Sequence, residues 1–152
     1  MIKKDHNFSV AIDSPQGLTV PNIKKVQEKS ILEINRELLE LRDKAADNTL
    51  TKADFTDATF SVSSVGNIGG KYFVPTILRP QAAIIAIGRA TKIAKYVDDD
   101  DHPDGHRFVP IDSVTFSISA DHRVIDGATV ARYTQTMKNL IANPNLMMLH
   151  MH

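Results

Sequence analysis

Residues 113–127 read Ser-Val-Thr-Phe-Ser-Ile-Ser-Ala-Asp-His-Arg-Val-Ile-Asp-Gly and decide the fold more than any other stretch. Up to Ala120 they alternate, with Val114, Phe116 and Ile118 on one side and serine or threonine on the other. Because successive side chains of a strand point to opposite faces, this alternation predicts a strand over 113–120 with one buried face. The segment from Asp121 to Gly127 then joins this strand to a helix.

The helix is predicted from the spacing of apolar side chains after Gly127. One stripe at helical spacing is formed by Val130, Tyr133, Met137, Leu140 and Ile141. Asp126 is a favoured N-cap residue, and Asn143-Pro144 is expected to stop the helix.

Upstream, the same reasoning predicts several shorter elements. Strands are expected over 7–12, 18–20, 58–63 and 82–87, with a turn at Pro15-Gln16-Gly17. A helix is expected after Ser30, which forms a capping box with Glu33. Its apolar face is predicted to carry Ile31, Ile34, Leu38 and Leu41, and Thr51 with Asp54 indicates a further short turn. Mixed strands and helices indicate an α/β or α+β fold.

Composition limits the classes of function. The chain has 152 residues, the length of one domain, and 18 basic residues balance 18 acidic ones. A net charge of zero gives no field that would gather nucleic acid or an anionic membrane, and neither is expected as a partner. The absence of cysteine excludes disulfides and a thiol nucleophile. The run Asp98–Asp101, continuing into His102-Pro103-Asp104-Gly105, predicts a solvated loop, with a metal-binding cluster as the weaker alternative.

His122 and Asp126 are the candidates for chemistry. Together with Gly127 they form H-x-x-x-D-G, a pattern expected by chance only about 0.025 times in a chain of this composition. A lone histidine at a strand end is more often a packed or surface residue than a base, and Asp126 can serve as a helix cap alone. Ser63 is a third candidate, because it ends a strand and opens the glycine-rich loop 64–70. That loop lacks the nucleophile-elbow, P-loop and dinucleotide patterns, so by itself it predicts a turn that needs positive φ.

Four ordered stretches, 13–22, 59–70, 79–88 and 121–127, together resemble the catalytic core of the dihydrolipoamide acyltransferases of 2-oxoacid dehydrogenase complexes. The resemblance implies a chloramphenicol-acetyltransferase-like sandwich of a mixed sheet with helices, with the acyltransferase catalytic domain spanning residues 1–152. Further elements are expected upstream of Asn7, so the domain is expected to be incomplete at its N-terminus and to represent the C-terminal part. The sequence of residues 64–70 resembles the branched-chain members of this family more than the others.

The resemblance also implies roles for the three candidates. His122 would be the general base, Ser63 would donate a hydrogen bond to the oxyanion, and Asp126 would orient the site through its charge. Coenzyme A would be a substrate, and the lipoyl group would be carried on a domain that is not present in this chain; no metal is required, and no residue is assigned to coenzyme A. Expected partners are further copies, in a homotrimer or larger core, and the other components of the complex. The compartment would be the mitochondrial matrix in a eukaryote or the cytoplasm in a bacterium.

Two alternatives remain. A chloramphenicol-acetyltransferase-like O-acyltransferase would share the fold and the H-x-x-x-D-G pattern but would acylate a hydroxyl group. A non-catalytic, truncated core subunit would assemble with full-length partners without turnover.

Overall fold

A computed structural model describes residues 3–150. Its strands are β1 (Phe8–Val10), β2 (Ile12–Ser14), β3 (Gly17–Thr19), β4 (Asn22–Ile23), β5 (Phe60–Ser64), β6 (Ala83–Ile87), β7 (Thr91–Asp98), β8 (His106–Ser113) and β9 (Phe116–Ala120). Its α-helices are α1 (Ile31–Ala46), α2 (Gly127–Ala142) and α3 (Pro144–Leu149). Strands and helices alternate irregularly, which confirms the mixed α/β class.

Five strands form one sheet in the order β4-β1-β5-β6-β9. Strands β1, β5 and β6 run parallel, and β9 runs antiparallel to β6 at the edge. The apolar run predicted as a buried strand is β6, at the centre of the core, with Ala83, Ile84, Ile85 and Ala86 all buried.

The two faces of this sheet differ in chemistry. One face carries apolar side chains, among them Phe60 and Ile118, and lies against α2, where Phe60 and Tyr133 place their ring centroids 6.2 Å apart. The other face is lined with serine. There the buried Ser61 donates a hydrogen bond to Gln81 Oε1 (2.7 Å), and Ser119 donates to the Pro75 carbonyl (2.7 Å). Small polar side chains thus let the segment before β6 lie close to the sheet.

The helix starts agree with the sequence. Ser30 accepts a hydrogen bond from the Glu33 amide, and the reciprocal bond from the Ser30 amide to Glu33 completes the capping box. The second box, Thr51 with Asp54, is also present. The predicted apolar face is only partly correct, because Ile31 is 53 % exposed and α1 is buried through Leu41 and Ala45 in its second half.

Two predicted strands have different limits. The segment 7–12 divides, because Val10 N–H donates to the Pro21 carbonyl and Ala11 N–H to the Val62 carbonyl, after which the chain leaves the sheet for the β2–β3 hairpin. The strand predicted over 113–120 is also wrong at its start. Ser113 pairs with Thr91 in a separate hairpin, and the strand in the main sheet begins at Phe116.

The hairpin of β7 and β8 was not predicted at all. Its strands pair with each other over eight residues each and with no other strand in the described part of the chain. Of the acidic run predicted as a loop, Asp98 is the last residue of β7, and Asp99, Asp100 and Asp101 lie in the connecting loop. Within residues 3–150 no cluster of His, Asp and Glu could hold a metal ion. No helix among these residues is long and apolar enough to cross a membrane.

Candidate active site

His122 lies on the turn between β9 and α2 and is exposed. Within residues 3–150 its imidazole makes no hydrogen bond, although its neighbours on both sides do. The imidazole is therefore accessible to a group from outside the chain.

Asp121 fixes the start of this turn. Its N–H donates to the Ala82 carbonyl (2.8 Å), and its own carbonyl accepts from the amides of Val124 and Ile125, both at 3.0 Å. Its carboxylate accepts hydrogen bonds from the Arg123 guanidinium, from Nη2 to Oδ2 at 2.6 Å and from Nε to Oδ1 at 2.9 Å. These hydrogen bonds from Arg123 lower the pKa of the Asp121 carboxyl to about 2.

Asp126 is the N-cap of α2, as the sequence predicted. Its carboxylate accepts from the Thr129 amide at 2.6 Å, and hydrogen bonding to Thr129 lowers the pKa of the Asp126 carboxyl. A charged cap also interacts favourably with the positive end of the helix dipole. The expected second role of Asp126, in orienting the site, stays a prediction.

Ser63 is half-buried near the carboxyl end of β5, and within the described residues its hydroxyl makes no hydrogen bond. The loop that follows is held by Arg89, whose amide donates to the Gly70 carbonyl (2.8 Å) and whose Nε donates to the Gly66 carbonyl (3.2 Å).

The prediction that this loop needs positive φ holds only for Gly69. Gly66 and Gly70 have little space for a side chain instead. A Cβ on Gly66 would lie 3.1 Å from the Gly88 carbonyl oxygen, and one on Gly70 would lie 2.8 Å from a Val65 methyl group.

His122 and Ser63 stand at opposite ends of the sheet. Ser63 is in register with Ala86, whereas Ala120, the last residue before the His122 turn, is in register with Ala83. The three steps along β6 from Ala83 to Ala86 correspond to about 10 Å along the strand. Because of this separation, the side chains of His122 and Ser63 in a single copy cannot both form hydrogen bonds to the same reacting atom.

The sequence reasoning missed Asp121 and Arg123. Both flank His122, and the signal was the opposite charge of two residues two positions apart. It was overlooked because the H-x-x-x-D-G pattern begins only at His122.

The comparisons with known proteins agree with this architecture. Residues 1–149 match the family described as the 2-oxoacid dehydrogenases acyltransferase catalytic domain. The chain belongs to this family. The lipoamide acyltransferase component of the mitochondrial branched-chain alpha-keto acid dehydrogenase complex of Arabidopsis thaliana is 42 % identical over 151 residues, which cover 99 % of this chain and 30 % of that protein.

Two solved structures have the same fold as this chain. The dihydrolipoamide acetyltransferase of Azotobacter vinelandii, in which the catalytic role of a serine, a histidine and an asparagine was investigated, superposes with a TM-score of 0.85 at 36 % identity, over 97 % of this chain and 58 % of that one. The cubic core of a pyruvate dehydrogenase multienzyme complex gives a TM-score of 0.84 at 36 % identity, over 96 % and 57 %. These neighbours confirm the chloramphenicol-acetyltransferase-like fold. The chain spans 30 % of the Arabidopsis relative and 58 % of the Azotobacter chain.

Proposed function

We propose that residues 1–152 belong to the catalytic domain of an acyltransferase that moves an acyl group between a dihydrolipoyl thiol and coenzyme A in a 2-oxoacid dehydrogenase complex. The observation that carries the proposal is the exposed imidazole of His122, free of partners among residues 3–150 and set in the H-x-x-x-D-G pattern of a member of this family. The histidine and asparagine studied in the Azotobacter enzyme stand four positions apart, as His122 and Asp126 do.

The chemistry needs a base and an oxyanion partner. A free thiol has a pKa of about 8.5, so little thiolate is present at neutral pH, and His122 would remove the thiol proton. The thiolate attacks the thioester carbonyl, and Ser63 Oγ donates a hydrogen bond to the oxyanion that forms. Collapse of the tetrahedral intermediate breaks the original carbon–sulfur bond. The departing thiolate then takes the proton back from the imidazolium, so that atoms and charge balance.

The site is completed between two copies of the chain in this proposal. The separation of His122 and Ser63 along the sheet supports it, because one copy cannot bring both to the same carbonyl. An assembly of further copies, such as a homotrimer or a larger core, would place the Ser63 end of one copy against the His122 turn of the next.

The first test is acyl transfer from acetyl-, isobutyryl- and succinyl-coenzyme A to dihydrolipoamide. The wild-type chain should turn over, and preference for isobutyryl-coenzyme A would assign it to the branched-chain type. His122→Ala should reduce kcat by about 10²–10⁴-fold, and Ser63→Ala by about 10²–10³-fold. Ser64→Ala, at an exposed neighbouring hydroxyl, is the matched control and should change kcat little. A folded, assembled chain without turnover would refute the activity and favour the non-catalytic core subunit.

Mixing two inactive variants tests the shared site separately. If His122→Ala and Ser63→Ala copies are denatured, mixed in equal amounts and reassembled at random, about a quarter of the interfaces would combine an intact His122 with an intact Ser63. Activity near a quarter of the wild-type value is the expected result. No recovery in an assembly of wild-type size would refute the shared site.

The compartment follows from the source of the chain. We infer the mitochondrial matrix for a eukaryotic source, as for the mitochondrial Arabidopsis relative, and the cytoplasm for a bacterial one. Coenzyme A is a substrate here, and the lipoyl group would arrive on a separate domain.

A further inference from the structure

The turn that carries His122 is held by hydrogen bonds in which His122 takes no part. Asp121 donates its N–H to the carbonyl of Ala82, the residue immediately before β6, which fixes the turn to the start of that strand. Its carbonyl accepts from Val124 and Ile125, which closes the turn ahead of the Asp126 cap. All main-chain polar groups of Asp121 are therefore in use.

The side chains of Asp121 and Arg123, which flank His122 in the sequence, form an ion pair with each other. Arg123 Nε lies 2.9 Å from Oδ1 and 3.1 Å from Oδ2, Nη2 lies 2.6 Å from Oδ2, and the Arg123 amide lies 3.1 Å from Oδ1. A planar guanidinium that meets a carboxylate through two nitrogens fixes orientation as well as distance. Arg123 keeps 83 % of its side-chain surface exposed and Asp121 keeps 24 %, so the ion pair forms at the surface and is not required to fill the core.

We propose that Asp121 and Arg123 are a positioning pair, which holds the turn so that the His122 imidazole is presented outward with a fixed direction. The inference rests on the proposed function of His122. The pair also keeps the immediate neighbourhood of the imidazole electrically balanced, since the carboxylate and the guanidinium flank it with opposite charges. Other charged groups of this region are Asp126, at the start of α2, and Arg79, which acts on Asp121 from the segment before β6.

The test compares this pair with a matched one elsewhere. Arg107 and Asp99 form a similar surface contact in the β7–β8 hairpin, with Nε and Oδ2 at 2.8 Å and the same 24 % exposure of the aspartate side chain. Arg123→Gln and Asp121→Asn should each lower kcat about tenfold or more, with the KM values for acyl-coenzyme A and for dihydrolipoamide within about twofold, because a base that is misplaced by about 1 Å loses rate without losing substrate contacts. Arg107→Gln should leave both parameters unchanged. Arg123→Lys keeps the charge but loses the planar guanidinium, so its kcat should lie between that of Arg123→Gln and that of the wild type.

A second readout does not depend on turnover. The amide heteronuclear NOE values of residues 121–125 should fall in Arg123→Gln, and the His122 ring resonance, identified by its loss in His122→Ala, should narrow, because both report faster ps–ns motion. Unchanged NOE values together with an unchanged kcat would overturn the inference, and so would a raised KM with an unchanged kcat. If the wild-type chain shows no turnover, the proposed function fails, and the NMR comparison alone decides whether the pair holds the turn.

Discussion

Replacing Gly88 with alanine should destabilise the chain strongly, although the substitution adds only one methyl group. A Cβ at this position would lie 2.4 Å from the Lys71 carbonyl oxygen and 3.4 Å from that of Gly70. Both neighbours are backbone atoms, so no side-chain rotation can relieve the contact, and the two segments must move apart by about 0.6 Å to reach 3.0 Å. That movement would strain the bond from Arg89 N–H to the Gly70 carbonyl, now 2.8 Å long.

The magnitude follows from two contributions. Overpacking of this kind costs about 1–3 kcal/mol, and the weakened hydrogen bond costs about 1 kcal/mol more. A total of roughly 2–4 kcal/mol should lower the melting temperature by roughly 5–15 °C in a chain of this length. The expected result is a lower midpoint of urea unfolding with an unchanged slope.

Two other glycines provide controls that separate space from backbone conformation. A Cβ on Gly127 meets nothing within 4 Å, so Gly127→Ala at the first position of α2 should be neutral or stabilising by up to about 1 kcal/mol. Gly105 also has open space but a φ of +70°, so Gly105→Ala should cost about 1–2 kcal/mol from conformation alone. A Gly88→Ala variant that is less destabilised than Gly105→Ala would refute the packing argument.

Three further changes test other parts of the chain. The buried Asn7 side chain accepts a hydrogen bond from the Lys25 amide and donates one to the Asp57 carbonyl, both at 2.8 Å. Asn7→Ala should therefore lower the free energy of unfolding, measured in urea, by about 2–4 kcal/mol. The control Asn35→Ala, on the exposed side of α1, should lower it little. Asp126→Ala should lower the melting temperature, whereas Asp126→Asn, which keeps a capping oxygen, should nearly preserve it; equal losses would contradict the capping role. The pKa of the Asp121 carboxyl is about 2 in the folded chain against 3.8 ordinarily, so its contribution to stability is present above about pH 4 and is lost as the pH falls towards 2. Asp121→Asn should flatten the pH dependence of the urea midpoint over that range, and an unchanged slope would contradict the assignment.

The parts of the fold that local chemistry determines could be predicted from the sequence. The capping box of Ser30 and Glu33, the Asp126 cap and the apolar run of β6 each involve residues close together in the chain. The hairpin of β7 and β8 escaped prediction because most of its side chains are exposed on both faces, so the residues show no clean alternation. Helix α3 was not predicted, because Asn143-Pro144 indicates the end of α2, although proline is also favoured at the first position of a new helix.

In the candidate site, too, the features set by local sequence could be predicted and those set by long-range packing could not. His122 and Ser63 were found from local patterns and from the family resemblance, but their separation depends on the antiparallel register of β9 against β6. Registers of strands far apart in sequence are set by packing, which no local pattern reveals. The role of Asn7 was invisible for a related reason, because its partners Lys25 and Asp57 lie 18 and 50 residues away.

The acidic loop between β7 and β8 is a suitable place to attach a spectroscopic label to the chain. It closes a hairpin whose strands pair with no other strand among residues 3–150, and lengthening a surface loop costs only about 0.6 kcal/mol for each doubling of its length. Since the sequence contains no cysteine, Asp101→Cys would introduce a unique thiol on this loop, at an exposed residue. A spin label or fluorophore placed there would report distances between neighbouring copies without competing reactions elsewhere on the protein.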